Sequence, residues 1–408
     1  MSTPQTPPKS RVKRLAVALG RPARLLFRKR ARAYSVVNDV HSRLNRTRVA
    51  RVVAPGSLAA LREEIRRAHD RKEAVSIAGG MHAMGGQQFA SDRVLLDTGG
   101  LDRVLRFDPE RGEIEVEAGI RWPALVDYTV RAQGGRRRQV GIVQKQTGAD
   151  RLSLGGALAA NIHGRGLCLK PIIGDVESFV LVDARGEAHT CSRRENTELF
   201  RLAVGGYGLF GVIASVTLRL APRRKLERVV RLARTDDLHG LFERRLADGF
   251  LYGDFQFATD PGGDGFLRQG IFSCYRPTAD DAPISPGQKE LSAEDWRELL
   301  YLAHADRGRA FEVYSRHYLA TSGQTYWSDT HQLSVYLDDY HRKLDRRLGA
   351  GEIGSEMITE LYVPRRRLAE FMELVRRDFR GHATELIYGT IRLIERDDES
   401  FLAWARER

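Results

Sequence analysis

The sequence is organised around the stretch Ser76-Ile77-Ala78-Gly79-Gly80-Met81-His82-Ala83-Met84-Gly85-Gly86-Gln87-Gln88-Phe89-Ala90. Four of its glycines fall within eight positions, directly after an apolar run that begins at Ala74. This pattern predicts a strand that ends in a loop whose backbone amides are open, because glycine has no side chain. Successive open amides form a concave anion site, so the loop suits the pyrophosphate of a dinucleotide. The alternative is a tight turn that contains a hydrogen-bonded His82.

Two later stretches favour the dinucleotide. In the first, Gly148 to Gly164, a glycine pair opens a short helix of small residues that ends near a polar Asn and His. In the second, Gly205-Gly-Tyr-Gly-Leu-Phe-Gly-Val-Ile213, a glycine loop leads directly into a predicted strand over Val212 to Leu220. Residues 206–211 also satisfy the Rossmann pattern G-x-G-x-x-G. That pattern requires a following helix, and a β-branched run follows here, so a Rossmann site is excluded.

Together the three stretches resemble the PCMH-type FAD-binding fold of the vanillyl-alcohol oxidase family, over about Leu44 to Pro222. The resemblance implies an α+β protein with a two-subdomain FAD-binding domain over 44–222. A substrate or cap domain with a mainly antiparallel sheet and helices follows over 223–408, and a basic arm over 1–43 precedes both. The resemblance also implies which residues bind FAD: Ala78, Gly79, Gly80, Met81, His82, Ala83, Gly85, Gly86, Gly148, Ser153, Gly155, Gly156, Ala160, Asn161, Ile162, His163, Gly208, Gly211 and Ile213.

His82 occupies the position at which many members of that family bond the flavin covalently through a histidine nitrogen. The resemblance therefore implies a tether through His82, with a non-covalent contact as the alternative. The neighbouring Ala83 and Met81 depart from the residues that usually flank this histidine.

Composition limits the remaining possibilities. With 408 residues, 42% of them hydrophobic and 29% charged, the chain can hold two or three cores and is typical of globular proteins. Three widely spaced cysteines predict neither a disulfide framework nor a metal site, and no apolar run is long enough to span a bilayer. We therefore expect a cytoplasmic protein.

The formal net charge is +13, and residues 1–51 alone carry that excess. The rest of the chain is neutral and shows no nucleic-acid-binding module, so we predict no nucleic-acid partner. The basic arm contains Val12, Leu15, Ala16 and Leu19 at helical spacing. It is either a solvated tail or a contact to an anionic membrane surface.

Hydrophobic spacing and turn residues predict the following elements. Helices are expected from Leu58 to Ala68, over Trp122–Ala132, from a Ser192/Glu195 capping box to Val204, largely over Leu291–Tyr318, and over Arg365–Phe379. Strands are expected over 75–78, 94–97, 103–107, 113–118, 176–183, 187–191, 249–258 and 266–275, with extended segments over 332–336 and 358–363.

Near its end, the stretch Ile387 to Asp398 resembles the Glu-x-Arg strand of the alditol oxidase and aldonolactone oxidase branch. The resemblance implies that Arg392 lies beside flavin and substrate as the catalytic residue, whereas Thr390 stands where that branch has an acid. Further candidate pocket groups are Tyr336, Tyr362, Glu360 and His331. The branch continues with another cap segment, so either the sequence is part of a longer chain or that last element has been dispensed with.

These features predict an FAD-dependent oxidoreductase. It would oxidise a hydroxyl group of a sugar-like, alditol or lactone substrate by hydride transfer to flavin N5, with oxygen or another carrier as electron acceptor. One alternative is an enzyme that acts on a lipid-linked substrate, such as a polyprenyl-phosphate sugar or a sterol-type alkene. Another is a flavin-binding protein without turnover.

Overall fold

The computed structural model describes residues 34–407, with the exception of 149, 336, 338 and 339. Most of the predicted basic arm, and the candidate Tyr336, lie outside the described residues. Within them, none of the helices combines the length and the hydrophobicity that crossing a lipid bilayer requires.

The first half of the described chain is a mixture of short helices and strands. Its elements are β1 (Ser35–Val37), β2 (Thr47–Val49), β3 (Arg51–Val53), α1 (Leu58–Asp70), β4 (Val75–Ala78), β5 (Val94–Asp97), β6 (Val104–Asp108), β7 (Glu113–Glu117), α2 (Trp122–Ala132), β8 (Val140–Gly141), α3 (Leu154–Ala159), β9 (Val176–Val182), β10 (Ala188–Ser192), α4 (Thr197–Ala203), β11 (Val212–Arg219) and β12 (Ala221–Pro222).

These elements form two main layers. The strands β3, β5 and β4 make a parallel sheet in that order, and α1 covers it with Leu61, Ile65 and Ala68. A second, antiparallel sheet has the order β10-β9-β11-β7-β6 and packs on Trp122 of α2 and Phe200 of α4. The small pairs β1-β2 and β8-β12 complete this half.

The second half contains the cap sheet. Its elements are β13 (Lys225–Arg234), α5 (Leu238–Ala247), β14 (Tyr252–Phe257), β15 (Gln269–Pro277), α6 (Ala293–Ala305), α7 (Arg307–Ala320), β16 (Thr325–Trp327), α8 (Tyr340–Leu348), α9 (Leu368–Gly381) and β17 (Thr390–Ile391). The sheet is antiparallel with the order β16-β13-β15-β14-β17. One face forms a hydrophobic core in which Phe255 and Phe272 contact Phe242 of α5.

Most predicted elements are confirmed, and so is the mixed fold with its mainly antiparallel cap sheet. The change of sheet after β12 lies close to the predicted boundary at residue 222, but the domain boundaries themselves stay predictions.

The largely helical region predicted over 291–318 is confirmed as two helices that meet at Asp306, which caps α7 by accepting the amide of Arg309. The capping box and the extended segments need correction. The capping box is wrong, because Ser192 belongs to β10 and α4 begins only after Asn196, whose φ is 46°.

Neither predicted extended segment forms a strand among the described residues. Gln332 closes a 3-10 turn, and 358–363 is a loop in which Ile358 is 75% exposed. This loop contacts other parts of the chain through Glu360 and Tyr362, as described below, whereas its apolar residues Ile358 and Leu361 are exposed.

Candidate active site

The three predicted glycine stretches meet in the structure. We refer to residues 78–86 as loop 1, 148–164 as loop 2 and 205–213 as loop 3. The Gly80 amide of loop 1 donates to Ser153 Oγ of loop 2 at 3.3 Å. In loop 3, the Gly205 and Tyr207 amides donate to the carbonyls of Leu158 and Ala159 at 3.0 and 2.9 Å.

Loops 1 and 2 approach so closely that only glycine fits between them. A Cβ on Gly79 would lie 2.2 Å from Ser153 Oγ, and a Cβ on Gly80 would lie 2.7 Å from the Arg151 carbonyl oxygen. Ser153 also caps α3 by accepting the amide of Gly156. This shape, a backbone cradle without side chains next to the start of a helix, is the one that a dinucleotide pyrophosphate requires.

The other predicted contact residues lie within or beside these loops. Met81, Gly86, Gly148 and Gly208 adopt positive φ angles of 56°, 70°, 77° and 79°. The assignment to FAD stays a prediction for the whole set, including Ala78, Ala83, Gly85, Gly155, Ala160, Ile162, Gly211 and Ile213. Within loop 1 the amides of Gly80, Gly85 and Gly86 already donate inside the protein, so their contact with phosphate would require those bonds to be exchanged.

His82 is neutral at physiological pH. Burial, followed by the nearby charge of Arg121 and by His41 and Arg151, lowers the pKa of His82 to about 4. A neutral imidazole keeps a nitrogen lone pair, which a covalent bond to the flavin would need. The covalent tether itself stays a prediction.

Loop 1 is held by a turn that the sequence analysis missed. Asp39 is buried, and its carboxylate accepts the amide and hydroxyl of Ser42 and the side-chain amide of Asn45. From this turn, Asn45 Nδ2 donates to the Met84 carbonyl at 2.7 Å, and the Val40 amide donates to the Met81 carbonyl at 3.0 Å. The one signal for it was the single acid in the basic N-terminal region, followed by Ser and Asn.

Asn161 has a structural side chain. It is fully buried, its Nδ2 donates to Asp397 Oδ2 at 2.9 Å, and its Oδ1 accepts the Ile173 amide at 3.3 Å. Because these partners lie within the protein, an FAD contact at this position would have to use the backbone.

His163 of loop 2 contacts two of the predicted pocket groups. Its Nε2 lies 3.2 Å from Glu360, and its Nδ1 lies 3.0 Å from the Gly164 carbonyl, so both nitrogens face oxygen. Tyr362 donates to the other oxygen of Glu360 and stacks on Trp404. The His163 contact lowers the pKa of Glu360 to about 2, so this carboxylate is ionised and already has partners.

The cap sheet presents a polar face on the side opposite its aromatic core. Side chains alternate along strands, so Asp254 and Gln256 of β14 lie on the face opposite Phe255. The register pairs Gln256 with Thr390 of β17, and its continuation places Arg392 opposite Asp254. On the other side, Asp254 is paired with Ser273 of β15. We call these five residues the polar cap face.

Four polar atoms of this face are buried without a hydrogen-bond partner among the described residues: Gln256 Oε1, Ser273 Oγ, Thr390 Oγ1 and Arg392 Nε. Leaving a buried polar atom unsatisfied costs about 1–3 kcal/mol, so a cluster of such atoms marks a surface that a polar ligand completes. The predicted catalytic residue Arg392 is one of these four residues.

Loop 2 leads directly to the polar cap face. The Arg165 carbonyl accepts the Gly253 amide at 2.8 Å, and Gly166 bridges to Tyr252, so this segment runs along the edge of β14. The guanidinium of Arg165 lies 3.9 Å from Asp254 and donates to the His331 carbonyl at 2.8 Å.

The predicted pocket group His331 is close to this arginine. Its Nδ1 faces the Trp327 carbonyl at 3.1 Å, and its Nε2 is buried without a partner among the described residues. Burial, followed by the charges of Arg165 and Arg228, holds the pKa of His331 well below its usual value. The ring is therefore neutral, and its Nε2 can accept a hydrogen bond.

Three tyrosines border the same region. Burial raises the pKa of Tyr314 and Tyr318 on α7. Tyr388 lies two residues before Thr390 and is 54% exposed.

Lys145 was also missed from the sequence. Its side chain is fully buried, and its ammonium contacts Asp150 at 2.6 Å. Burial lowers the pKa of Lys145, and Asp150 opposes that shift. Gln332 binds its backbone amide, which ties this segment to the cap.

Comparison with known proteins identifies the cofactor-binding part. Residues 49–192 match the family described as FAD binding domain. An uncharacterized oxidoreductase of the fasciation locus of Rhodococcoides fascians is 30% identical over 251 residues, which are 60% of this chain and 55% of the relative. The L-gulono-1,4-lactone dehydrogenase of Mycobacterium tuberculosis is 32% identical over 177 residues, which are 43% of this chain and 39% of the relative.

A solved structure, cholesterol oxidase from Brevibacterium sterolicum, shares the fold with a TM-score of 0.64 at 13% identity, over 92% of this chain and 77% of that one. The matched region spans about half the length of the first relative and less of the second. Taken with the three converging loops, the family match shows that residues 49–192 belong to an FAD-binding domain of the PCMH type and that the cofactor is FAD.

Proposed function

We propose that the chain oxidises a hydroxyl group of a sugar-like, alditol or lactone substrate and passes the electrons to oxygen or another acceptor. The observation that carries this proposal is the cluster of unpartnered buried polar atoms on the polar cap face. Hydroxyl groups both donate and accept hydrogen bonds, so a polyol or lactone can satisfy the amide, hydroxyl and guanidinium groups of that face together.

Different parts of the chain have different roles in this proposal. Loops 1, 2 and 3 bind FAD, and bound FAD supplies the hydride acceptor. Arg392 donates through Nε to a substrate oxygen, and the neutral His331 accepts a hydrogen bond from a substrate hydroxyl at Nε2. His163 and Glu360 join loop 2 to the cap at the edge of the site.

We further propose that His82 bonds the flavin, because its low pKa keeps the imidazole neutral next to the cradle. We also propose that the chain belongs to the vanillyl-alcohol oxidase family. Its location would be cytoplasmic, with its basic arm in contact with a membrane surface. The alternative proposal, a lipid-linked substrate, is supported only by the basic arm.

The test follows flavin bleaching in the FAD-loaded protein without oxygen. Alditols, aldonolactones and a polyprenyl-phosphate sugar are mixed with the protein, and flavin absorbance is recorded. We expect a member of the first two classes to bleach the flavin, and Arg392→Gln to slow that bleaching. Arg231→Gln, at an exposed arginine of β13, is the matched control and should leave the rate unchanged.

The outcomes separate the alternatives. Bleaching by the polyprenyl-phosphate sugar alone would replace the proposed substrate class with the lipid-linked one. Bound FAD that no member of the panel reduces would favour a flavin-binding protein without turnover.

A further inference from the structure

The region around the polar cap face contains more buried cations than available anions. Arg228 of β13 shows this most clearly, because none of the ion pairs within the described part of the chain includes it. Its guanidinium donates instead to the Tyr275 hydroxyl at 2.8 Å and to Thr321 Oγ1 at 3.0 Å. The rings of Tyr275, Tyr318 and Tyr326 surround it at 4.8–5.2 Å.

Arg165 and Arg392 are also incompletely neutralised. The Arg165 side chain is 12% exposed, its nearest carboxylate is Asp254 at 3.9 Å, and its Nε has no acceptor among the described residues. Arg392 has a buried Nε in the same condition. The register places Arg392 opposite Asp254, the same carboxylate that lies near Arg165.

Two other acids near the polar cap face are engaged elsewhere. Asp150 forms an ion pair with Lys145, and Glu360 contacts His163 and Tyr362. Asp254 is therefore the carboxylate that remains for Arg165 and Arg392, while Arg228 has no ion-pair partner among the described residues. A buried charge is costly unless it is paired, so this excess of positive charge predicts an anionic occupant.

We infer that the substrate carries an anionic oxyacid group, a carboxylate or a phosphate, and that this group binds between Arg165 and Arg392. Its hydroxyl groups then satisfy Gln256, Ser273 and Thr390. This inference rests on the proposed function and narrows it from neutral polyols and lactones to sugar acids or sugar phosphates. Guanidinium groups suit both anions, because their planar array of donors matches two oxygens at once.

The experiment measures binding apart from turnover. The FAD-loaded full chain is titrated under anaerobic conditions with D-gluconate, D-glucitol 6-phosphate or neutral D-glucitol. Perturbation of the visible flavin spectrum gives the Kd. Gluconate or the sugar phosphate should bind about 10- to 100-fold more tightly than glucitol, because a charge-assisted hydrogen bond is stronger than a neutral one.

Two variants test the position of the anion. Arg165→Gln should remove most of the preference for the charged ligand and leave the affinity for glucitol nearly unchanged. Arg392→Gln is the second variant, and it keeps the test of the anion site valid if Arg165→Gln fails to fold. Arg231→Gln is the control, because this arginine of β13 is exposed to solvent. Arg165→Lys should restore part of the preference.

The outcomes for the two proposals differ. Equal affinity for gluconate, the sugar phosphate and glucitol, or a preference that survives in both arginine variants, overturns the anionic substrate while the proposed oxidation can stand. Tight binding of an anion that depends on Arg165 without any flavin reduction supports the anion site and counts against the proposed oxidation. Failure of all three ligands to perturb the flavin overturns the anion site.

Discussion

The close approach of loops 1 and 2 makes Gly79→Ala the most direct test of the cofactor site. The added Cβ would lie 2.2 Å from Ser153 Oγ and 2.9 Å from Ser153 Cβ. An ordinary contact needs ~3.5 Å, so the loops must separate by ~1 Å. Overpacking of this kind costs about 1–3 kcal/mol.

That cost should appear mainly as weaker cofactor binding. The loops must regain their spacing to hold FAD, and therefore the penalty falls on the bound state. At about 1.4 kcal/mol per tenfold change, the Kd for FAD should rise roughly 5- to 150-fold. We would measure it by titrating the FAD-free protein with FAD and following the quenching of flavin fluorescence, with the melting temperature recorded in parallel.

The control is Gly240→Ala in the middle of α5. A Cβ there meets only Arg244 Nη1, at an ordinary 3.5 Å, so the variant should bind FAD with unchanged affinity. It should also gain roughly 0.5–1 kcal/mol in stability, because alanine favours the helix. A folded Gly79→Ala protein that binds FAD like the unmodified chain would refute the role of the cradle.

Three further substitutions test individual residues. If His82 bonds the flavin, acid precipitation should leave flavin with the unmodified protein and release it from His82→Ala; release from both would reduce His82 to a positioning contact. Asp39→Asn should lower the free energy of unfolding by about 1–3 kcal/mol, because donors in its turn lose a charged acceptor. Burial raises the pKa of Asp39, but hydrogen bonds from Asn45 and Ser42 outweigh it, so the net pKa is lowered. The stabilisation is therefore present above pH ~4 and should fade as the pH falls through the lowered pKa, and a pH-independent difference in chemical denaturation would contradict this reasoning. Asn161→Ala should destabilise the chain by about 1–3 kcal/mol but retain FAD in stoichiometric amount, and loss of FAD from a folded variant would show that the side chain contacts the cofactor.

The cofactor loops could be predicted because their chemistry is local. The spacing of glycines in loop 1 and the small residues of loop 2 determine backbone shape over a few residues, and the fold places them as expected. The partners that hold the loops were not predictable in this way. Val40 and Asn45 bond to loop 1 across some 40 residues of chain, and nothing in the spacing of either segment indicates that contact.

The substrate region was less predictable from the sequence than the cofactor loops. Arg392 could be proposed from a resemblance, but its neighbours depend on strand register. Gln256 meets Thr390 only because β14 and β17 are adjacent, although they are separated by more than 130 residues. Alternation within a strand over 249–258 implies that Asp254 and Gln256 share a face, but it cannot indicate which face is left open. The segment over 358–363 failed for a related reason, because its pattern suits a strand for which no partner is available.

The path of the backbone explains why cofactor and substrate positions should be coupled in this chain. Loop 2 contains Ser153 at one end, and about ten residues later the same segment runs beside β14 at Arg165. Gln144 holds the end of this path next to Arg165, because its side chain accepts the Gly164 amide at 3.1 Å and donates to the Lys170 carbonyl at 2.8 Å. A short segment held at both ends transmits a displacement instead of absorbing it. The distance between the FAD cradle and the polar cap face is therefore set by hydrogen-bonded backbone. Substitutions of Gln144 should impair the alignment of substrate and flavin, even though the Gln144 side chain contacts loop 2 through its backbone.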